Sequence, residues 1–266
     1  MTRAGRWIVM LCAWCLVTVT AAFATEVSPF NLSPGFPTAL DDAYPVNEGA
    51  FLVQPAFRFD KTTDRDYVRG RLTADLRWGV ARGVELFAGA TAIRGPLLPG
   101  TMDDPRAVQT GLLYRLTRQD QPLSLLPSLA IRMTVQIPFQ GPVHDPAFRG
   151  ELLASWDLAD GWWLHANGGY QVVPGDQPGL QSPGRTSVWY GRLGVVKALT
   201  PDLGLVVDAT YSQDYTRTVG RLVTPELGLT YGLTPNWILM AGAGTDFGNS
   251  EFRANVRGSL SASWVF

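Results

Sequence analysis

The chain has 266 residues, with 22 Lys plus Arg against 23 Asp plus Glu, a formal net charge of −1 and a mean hydropathy of +0.04. That balance excludes the basic footprint of a nucleic-acid binder, so no nucleic-acid partner is expected. Its 28 Gly, 19 Pro and 9 Trp suit a protein that is apolar outside and polar inside.

Residues 1–24 read as a secretory signal. Arg3 and Arg6 precede an apolar run that opens at Trp7, and Ala22-Phe23-Ala24 fits the small-x-small cleavage rule. Cys12 and Cys15 both fall inside this stretch. Its removal leaves no thiol and no disulfide. Removing Arg3 and Arg6 lowers the basic count to 20 and the net charge to 20 − 23 = −3. Residues 25–49 carry Pro29, Pro34, Pro37 and Pro45 without sustained periodicity. An irregular segment is expected there, in the periplasm or in the mouth of a barrel.

From Ala50 the sequence falls into twelve alternating runs, near 50–60, 67–80, 84–94, 107–116, 125–137, 149–158, 162–173, 186–198, 203–213, 221–232, 237–247 and 252–266. Most reach the 9–11 or so tilted residues that cross a bilayer as a strand. The second run is the clearest: Val68, Gly70, Leu72, Ala74, Leu76, Trp78 and Val80 share one face, and Arg69, Arg71, Thr73, Asp75 and Arg77 share the other. Such a row of charges suits a wet or ion-paired lumen, not a soluble core. Short turns at 81–83, 159–161, 200–202 and 233–236 alternate with Pro- and Gly-rich loops at 95–106, 138–148 and 174–185. The pattern predicts an all-β fold, a single antiparallel transmembrane barrel over 50–266 with about twelve strands and both termini periplasmic. Bulges or kinks are expected at Pro55, Pro127 and Pro225, which forfeit ladder bonds.

Aromatic residues sort into two levels. Trp78, Trp156, Trp162, Trp237, Trp264 and Phe266 fall at the expected periplasmic ends, and Phe57, Phe59, Tyr170, Trp189, Tyr211 and Phe252 near the outer ends. Two girdles are what a bilayer asks of a barrel. The last run places Phe252, Ala254, Val256, Gly258, Leu260, Ala262, Trp264 and Phe266 on one face. Its terminal aromatic resembles the signal that outer-membrane barrels present to their assembly machinery, so Trp264 and Phe266 are the expected contact with that partner.

The stretch F-P-T-A-L-D-D-A-Y-P-V-N-E-G at 36–49, followed by a strand, and the hairpin Y-G-L-T-P-N-W at 231–237 carry a family resemblance. The chain resembles the outer-membrane barrel family associated with the meta-cleavage pathway of phenol degradation. The resemblance implies a barrel of transporter type for small aromatic or hydrophobic compounds, and brings no catalytic residues.

Enzyme chemistry finds little footing. His144 and His165 are the two histidines; the residues two positions after them are Pro146 and Asn167, not the Ser of a barrel phospholipase. Metal ligation has no Cys, no paired His and no calcium-loop spacing behind it, and no cofactor is expected. The informative residues are inward charges. The register points Arg58, Arg69, Arg71, Arg77, Arg115, Arg132, Arg192, Arg253 and Arg257 into the lumen, with Asp75, Glu85, Glu151, Asp157, Asp208, Glu226 and Asp246. They are either a self-neutralising filling or a polar path that filters solutes. Arg58, Arg69, Arg71, Arg253 and Arg257 are expected on one wall whose nearest acid is Asp75. Asp41 and Asp42, with Tyr44 beside them, are the expected plug: segment 25–49 is read as entering the lumen and pairing Asp41 or Asp42 with that wall. The sequence therefore supports an outer-membrane channel for a small solute, with outer-membrane lipid as its surroundings. The alternative is a closed structural or adhesive barrel acting through its loops.

Overall fold

In a computed structural model the chain forms a closed antiparallel barrel of twelve staves. The structure describes residues 28–30, 32, 36–62, 68–94, 106–140, 145–172, 186–213, 221–248 and 253–266. The strands are β1 (Phe51–Lys61), β2 (Val68–Ala81), β3 (Val84–Arg94), β4 (Arg106–Thr117), β5 (Ser128–Gln140), β6 (Ala147–Asp157), β7 (Trp162–Val172), β8 (Ser187–Ala198), β9 (Leu203–Gln213), β10 (Arg221–Thr234), β11 (Trp237–Gly244), β12 (Phe247–Gly248) and β13 (Val256–Val265). From β1 to β11 each strand pairs with the next in sequence, β13 closes the ring between β11 and β1, and β12 resumes the pairing of β11 with β10 after a break. Closure leaves no sheet edge to be satisfied by another chain.

The alternation read from the sequence is the inside–outside alternation of the barrel. In β2, Arg69, Asp75 and Arg77 are buried, while Leu72 and Leu76 stand 56% and 46% exposed. In β13, Ser259 and Ser263 are buried, and Leu260 is 62% exposed. Across the first seam Leu260, Phe57 and Leu72 lie side by side on three strands, on the outer face. The outer surface is thus a continuous apolar band.

One end carries the tight connections. Gly83 and the run Ala159-Asp160-Gly161 take positive φ, between 51° and 82°, which lets a short loop reverse the chain. Aromatic rings in contact line this turn end: Phe51 stacks at 5.7 Å on Trp78 and on Phe266, Trp264 stacks on Trp237 at 5.7 Å, and Trp264 lies tilted against Phe266 at 4.5 Å. At the loop end Trp189 and Tyr211 sit 5.3 Å apart. The expected girdle residue Phe252, the expected loop 174–185 and most of 95–106 lie outside the described residues; of the expected loop 138–148, residues 138–140 belong to β5 and 147–148 to β6.

Three boundaries differ from expectation. Pro127 precedes β5, and Pro138 lies inside it, where the ladder to β4 slips between Arg106 and Ala107. Pro55 and Pro225 keep an unbroken register with β2 and β9. Instead, β11 ends at Gly244, opposite Glu226 and next to Pro225, and Thr245 N–H donates to the Pro225 carbonyl. The last strand opens at Val256, so Arg253 stands before it.

Candidate functional site

The interior has two storeys. The lower one, toward the turn end, is filled by the chain's own N-terminal region, which forms an arch. Pro29 approaches Gly232, and Phe30 stacks on Trp163 at 4.8 Å. The chain peaks at mid-height, where Ser259 Oγ donates to the Pro37 carbonyl at 2.5 Å and Ala39 N–H donates to Glu226 Oε2 at 2.7 Å. It descends past Asn167 and Ser155, and Val46 N–H donates to Glu85 Oε2 at 2.9 Å. At the foot Gly49 N–H meets the Gly79 carbonyl at 2.7 Å. The prolines explain the shape: they bar helix and leave a chain that satisfies its backbone on side chains of the wall.

The barrel is carved to receive the arch. A Cβ on Gly228 would meet Pro37 Cγ at 2.6 Å, one on Gly194 would meet Leu40 Cδ2 at 2.8 Å, and one on Gly242 would overlap the Pro37 carbonyl. Leu40, fully buried, packs with Leu32, Val196 and Val206; Ala43 packs with Leu113, Ala130 and Leu153. Val265, an apolar residue at an inward position of the last strand, packs with Ala50 and Leu52.

Asp41 and Asp42 have separate tasks. Asp41 ion-pairs with Arg132 of β5, and Arg132 also lies 3.9 Å from Glu151. Asp42 staples the two legs of the arch, accepting Leu32 N–H at 2.6 Å and Tyr44 N–H at 3.0 Å. Burial pushes its carboxyl up to about 7, against the opposing pull of those two N–H groups and of Arg77. Tyr44 is half-buried, and burial raises its phenol as well.

The wall of arginines is not paired as expected. Asp60, which the sequence reading passed over, sits at its centre: Arg257 Nε donates to Oδ1 at 2.8 Å, Arg69 Nη2 to Oδ2 at 2.9 Å, and Arg58 Nε lies 3.9 Å from Oδ1. Arg58 Nη2 also reaches Glu226 at 2.5 Å, and Arg257 Nη2 reaches Asp246 at 3.1 Å. Asp60 faces inward two residues after Arg58 by the same period of two, so the signal was present. Asp41 and Asp42 meet other partners because the arch peaks below the Asp60 cluster.

The upper storey is a cavity of about 340 Å³. Of the expected inward residues, Arg58, Arg69, Arg71, Asp75, Arg77, Arg132, Glu151, Arg192, Asp246 and Arg257 line it. Asp75 accepts from Gln109 at 2.8 Å. Arg149, Asp60, Gln136 and Tyr190 also line it. Asp208 and Glu226 are buried at the level of the arch, and Arg77 lies 3.5 Å from Glu85. Arg115 is half-buried toward the turn end, outside the cavity. Arg253 stands at the rim, its Nη1 3.5 Å from the Gly248 carbonyl.

His144 lies outside the described residues. His165 Nδ1 is 2.8 Å from Ser155 Oγ, directly across the β6–β7 ladder. A search along one strand misses such a cross-strand pair. Ser155 Oγ also takes the Ala43 N–H at 3.0 Å, and both side chains are buried under the arch, apart from the cavity lining. Their geometry seats the arch. Among the described residues no group of His, Cys, Asp and Glu is arranged to hold a metal.

Fold and interior together define a closed antiparallel barrel, apolar outside, charged inside and crossed by its own N-terminal region. In sequence, neither a family model nor a curated protein matches the chain. In fold it is similar to an outer membrane channel from Pseudomonas putida, with TM-score 0.64 and 13% identity over 88% of this chain and 100% of that one. It is also similar to the NanC porin (TM-score 0.53, 15% identity, 81% of this chain and 98% of that one). The KdgM porin gives TM-score 0.52 and 12% identity over 81% of this chain and 99% of that one.

Proposed function

We propose that the protein is an outer-membrane channel that passes a small solute, with residues 1–24 removed on export and the turn end facing the periplasm. The observation that carries this reading is the pairing of an apolar outer band with a charged cavity inside a closed sheet. Hydrocarbon accepts the first, and only water or a polar solute suits the second. The fold likeness to a channel and two porins supports it. The resemblance to the phenol meta-cleavage barrel family points to a small aromatic or hydrophobic cargo, and the Phe36, Phe87 and Tyr190 side chains facing the cavity agree with that. On this reading 25–49 is a plug in the lower storey and 50–266 is the conduit. Trp264 and Phe266 meet the assembly machinery from a seam where Phe51 and Phe266 exchange backbone hydrogen bonds at 2.9 and 3.0 Å.

The arch favours a second reading, a closed structural or adhesive barrel. Planar-bilayer recording on the purified mature protein separates the two. Discrete conductance steps support the channel; a silent bilayer with correctly folded protein supports the closed barrel.

A further inference from the structure

We propose that the closing seam of the barrel, where β1 meets β13 at Pro55, is a lateral binding site for a neutral, membrane-dissolved molecule built of an apolar ring and one hydroxyl. The ring lies in a trough on the outer face, and the hydroxyl reaches Gln54 behind the seam. This rests on the reading of the outer band as membrane-facing, and deepens the channel reading by giving an apolar cargo its route.

The seam is weakest at Pro55. The register of β1 with β13 runs through Leu52–Val265 and Val53–Trp264, skips Gln54 and Pro55, and resumes at Ala56–Ser261. The same two residues stay paired with Asp75 and Ala74 of β2, so the break belongs to the closing seam. Its cause is local. Pro55 has no N–H to donate, and one rung of the ladder toward β13 is therefore missing.

On the outer side a trough of about 560 Å³ crosses this place. Its lining is almost wholly apolar, with Pro55 and Ala241 set among the larger Phe57, Leu260 and Tyr231. Phe57 and Leu260 face each other across the seam. The volume falls within the range of small-molecule sites, about 300 to 1,000 Å³. A ring dissolved in lipid gains little by moving into such a trough, because lipid tails are as apolar as the trough itself. A charged molecule does not reach it through hydrocarbon. Selection therefore has to come from a polar contact made by a neutral molecule.

The inner side offers that contact. Gln54 is fully buried, and neither the nitrogen nor the oxygen of its amide has a hydrogen-bond partner. The hydroxyls of Ser263, which is buried, and of Ser261 have none either. All three lie at the skipped rung or next to it. Buried polar groups without partners are costly, and a hydroxyl brings both a donor and an acceptor to satisfy them. Neither Gln54 nor Ser263 lines the upper cavity. Phe36 of the arch stands between. It packs with Ala56, Ile238 and Met240, and it also lines the cavity. Ile238 and Met240 are the β11 neighbours of Ser263 and Ser261. The Phe36 ring is thus the last barrier on a path from trough to lumen.

The test photolabels the purified barrel in lipid vesicles with a phenyl-diazirine and with its hydroxymethyl derivative, at equal concentration in the lipid. Mass spectrometry reads the labelled positions. The hydroxymethyl probe is expected to label 54–57 and 260–263 about fivefold more than its parent, the scale of one neutral hydrogen bond. Gln54→Leu should erase that preference in a barrel shown to be folded by heat-modifiable migration. Ala56→Cys with Ser261→Cys places two thiols opposite each other across the seam. In its oxidised form labelling should persist at Phe57 and Leu260 and fall at Gln54 and Ser263, and reduction should restore it. Labelling spread evenly over the outer band overturns the trough. Equal labelling by the two probes, or a preference that survives Gln54→Leu, overturns the polar contact. Undiminished labelling of Gln54 in the oxidised pair overturns passage through the seam. Planar-bilayer recording keeps the two readings apart. Seam labelling in a barrel that carries no current retains the site and defeats the channel; conductance without seam labelling retains the channel and defeats the site.

Discussion

The side-chain amide of Asn167 is paired to the backbone of Asp41 as one strand is paired to another: Asn167 Oδ1 accepts the Asp41 N–H at 3.0 Å, and Nδ2 donates to the Asp41 carbonyl at 2.9 Å. Both groups are buried. Asn167→Ala leaves a buried donor and acceptor without partners, which costs about 1–3 kcal/mol for each group left unmet. The expected result is a lower urea midpoint for the folded barrel and larger, noisier conductance steps as the descending leg loosens. An unchanged midpoint and unchanged current would show that the arch is held elsewhere.

Asp41 and Arg132 form a buried ion pair between the arch and β5. Removing one member of such a pair strands the other, typically at about 3–5 kcal/mol, whereas removing both is far milder. Arg132→Met should therefore destabilise the barrel more than the double variant Asp41→Asn with Arg132→Met. Denaturant melts of the two single variants and the double variant measure this coupling, and strictly additive losses would refute it.

Gly242 faces the Pro37 carbonyl so closely that a Cβ there overlaps it. Gly242→Val cannot coexist with the seated apex of the arch. Since Gly242 lies within a strand, the β-branched side chain does not harm the ladder itself. The expected outcome is a folded barrel with increased conductance, read by heat-modifiable migration and single-channel recording. Wild-type conductance in the folded variant would mean that the arch does not obstruct passage.

Leu72 and Leu260 face outward, and Thr73 faces the cavity. On the membrane reading, Leu72→Arg or Leu260→Arg costs about 2–4 kcal/mol near the bilayer midplane, and Thr73→Arg much less. Ser259→Arg is a separate case. Ser259 lies on the inner face, but it is buried against Pro37 with no room for a guanidinium, so its replacement should be costly too. Folding titrations into lipid vesicles give the four values; a Thr73 cost equal to that of Leu72 would contradict the assigned faces.

Asp42 gives the arch a pH dependence. Its carboxyl is raised from an ordinary 3.8 to about 7 by burial, so the seated arch holds the proton more tightly than a released one does. The contribution to seating is complete below about 4 and is lost as pH rises through 7. Conductance should therefore rise between about pH 4 and 7, and Asp42→Asn, which cannot ionise, should flatten that profile. A rise that survives in Asp42→Asn would assign the titration to another group.

The alternation of side chains by itself determined the sheet, the strand number and the two faces. A period of two is a property of the backbone and needs no tertiary knowledge to read: Arg69, Arg71, Asp75 and Arg77 point inward wherever β2 lies. The expectation of an irregular segment over 25–49 came from a local signal too, its prolines. Tertiary structure alone decided which inward residues meet. Asp60 rather than Asp75 neutralises the wall, and Asp41 turns to Arg132, because the stagger of neighbouring strands and the height of the arch set those distances. It also decided that inward Leu113, Leu153, Val196 and Val206 form a packed core. On a strand they look like errors in the alternation, and only the arch lying across them removes them from water. The Ser155–His165 pair belongs to the same class: each residue has an ordinary strand neighbourhood, and the β6–β7 register makes them a pair.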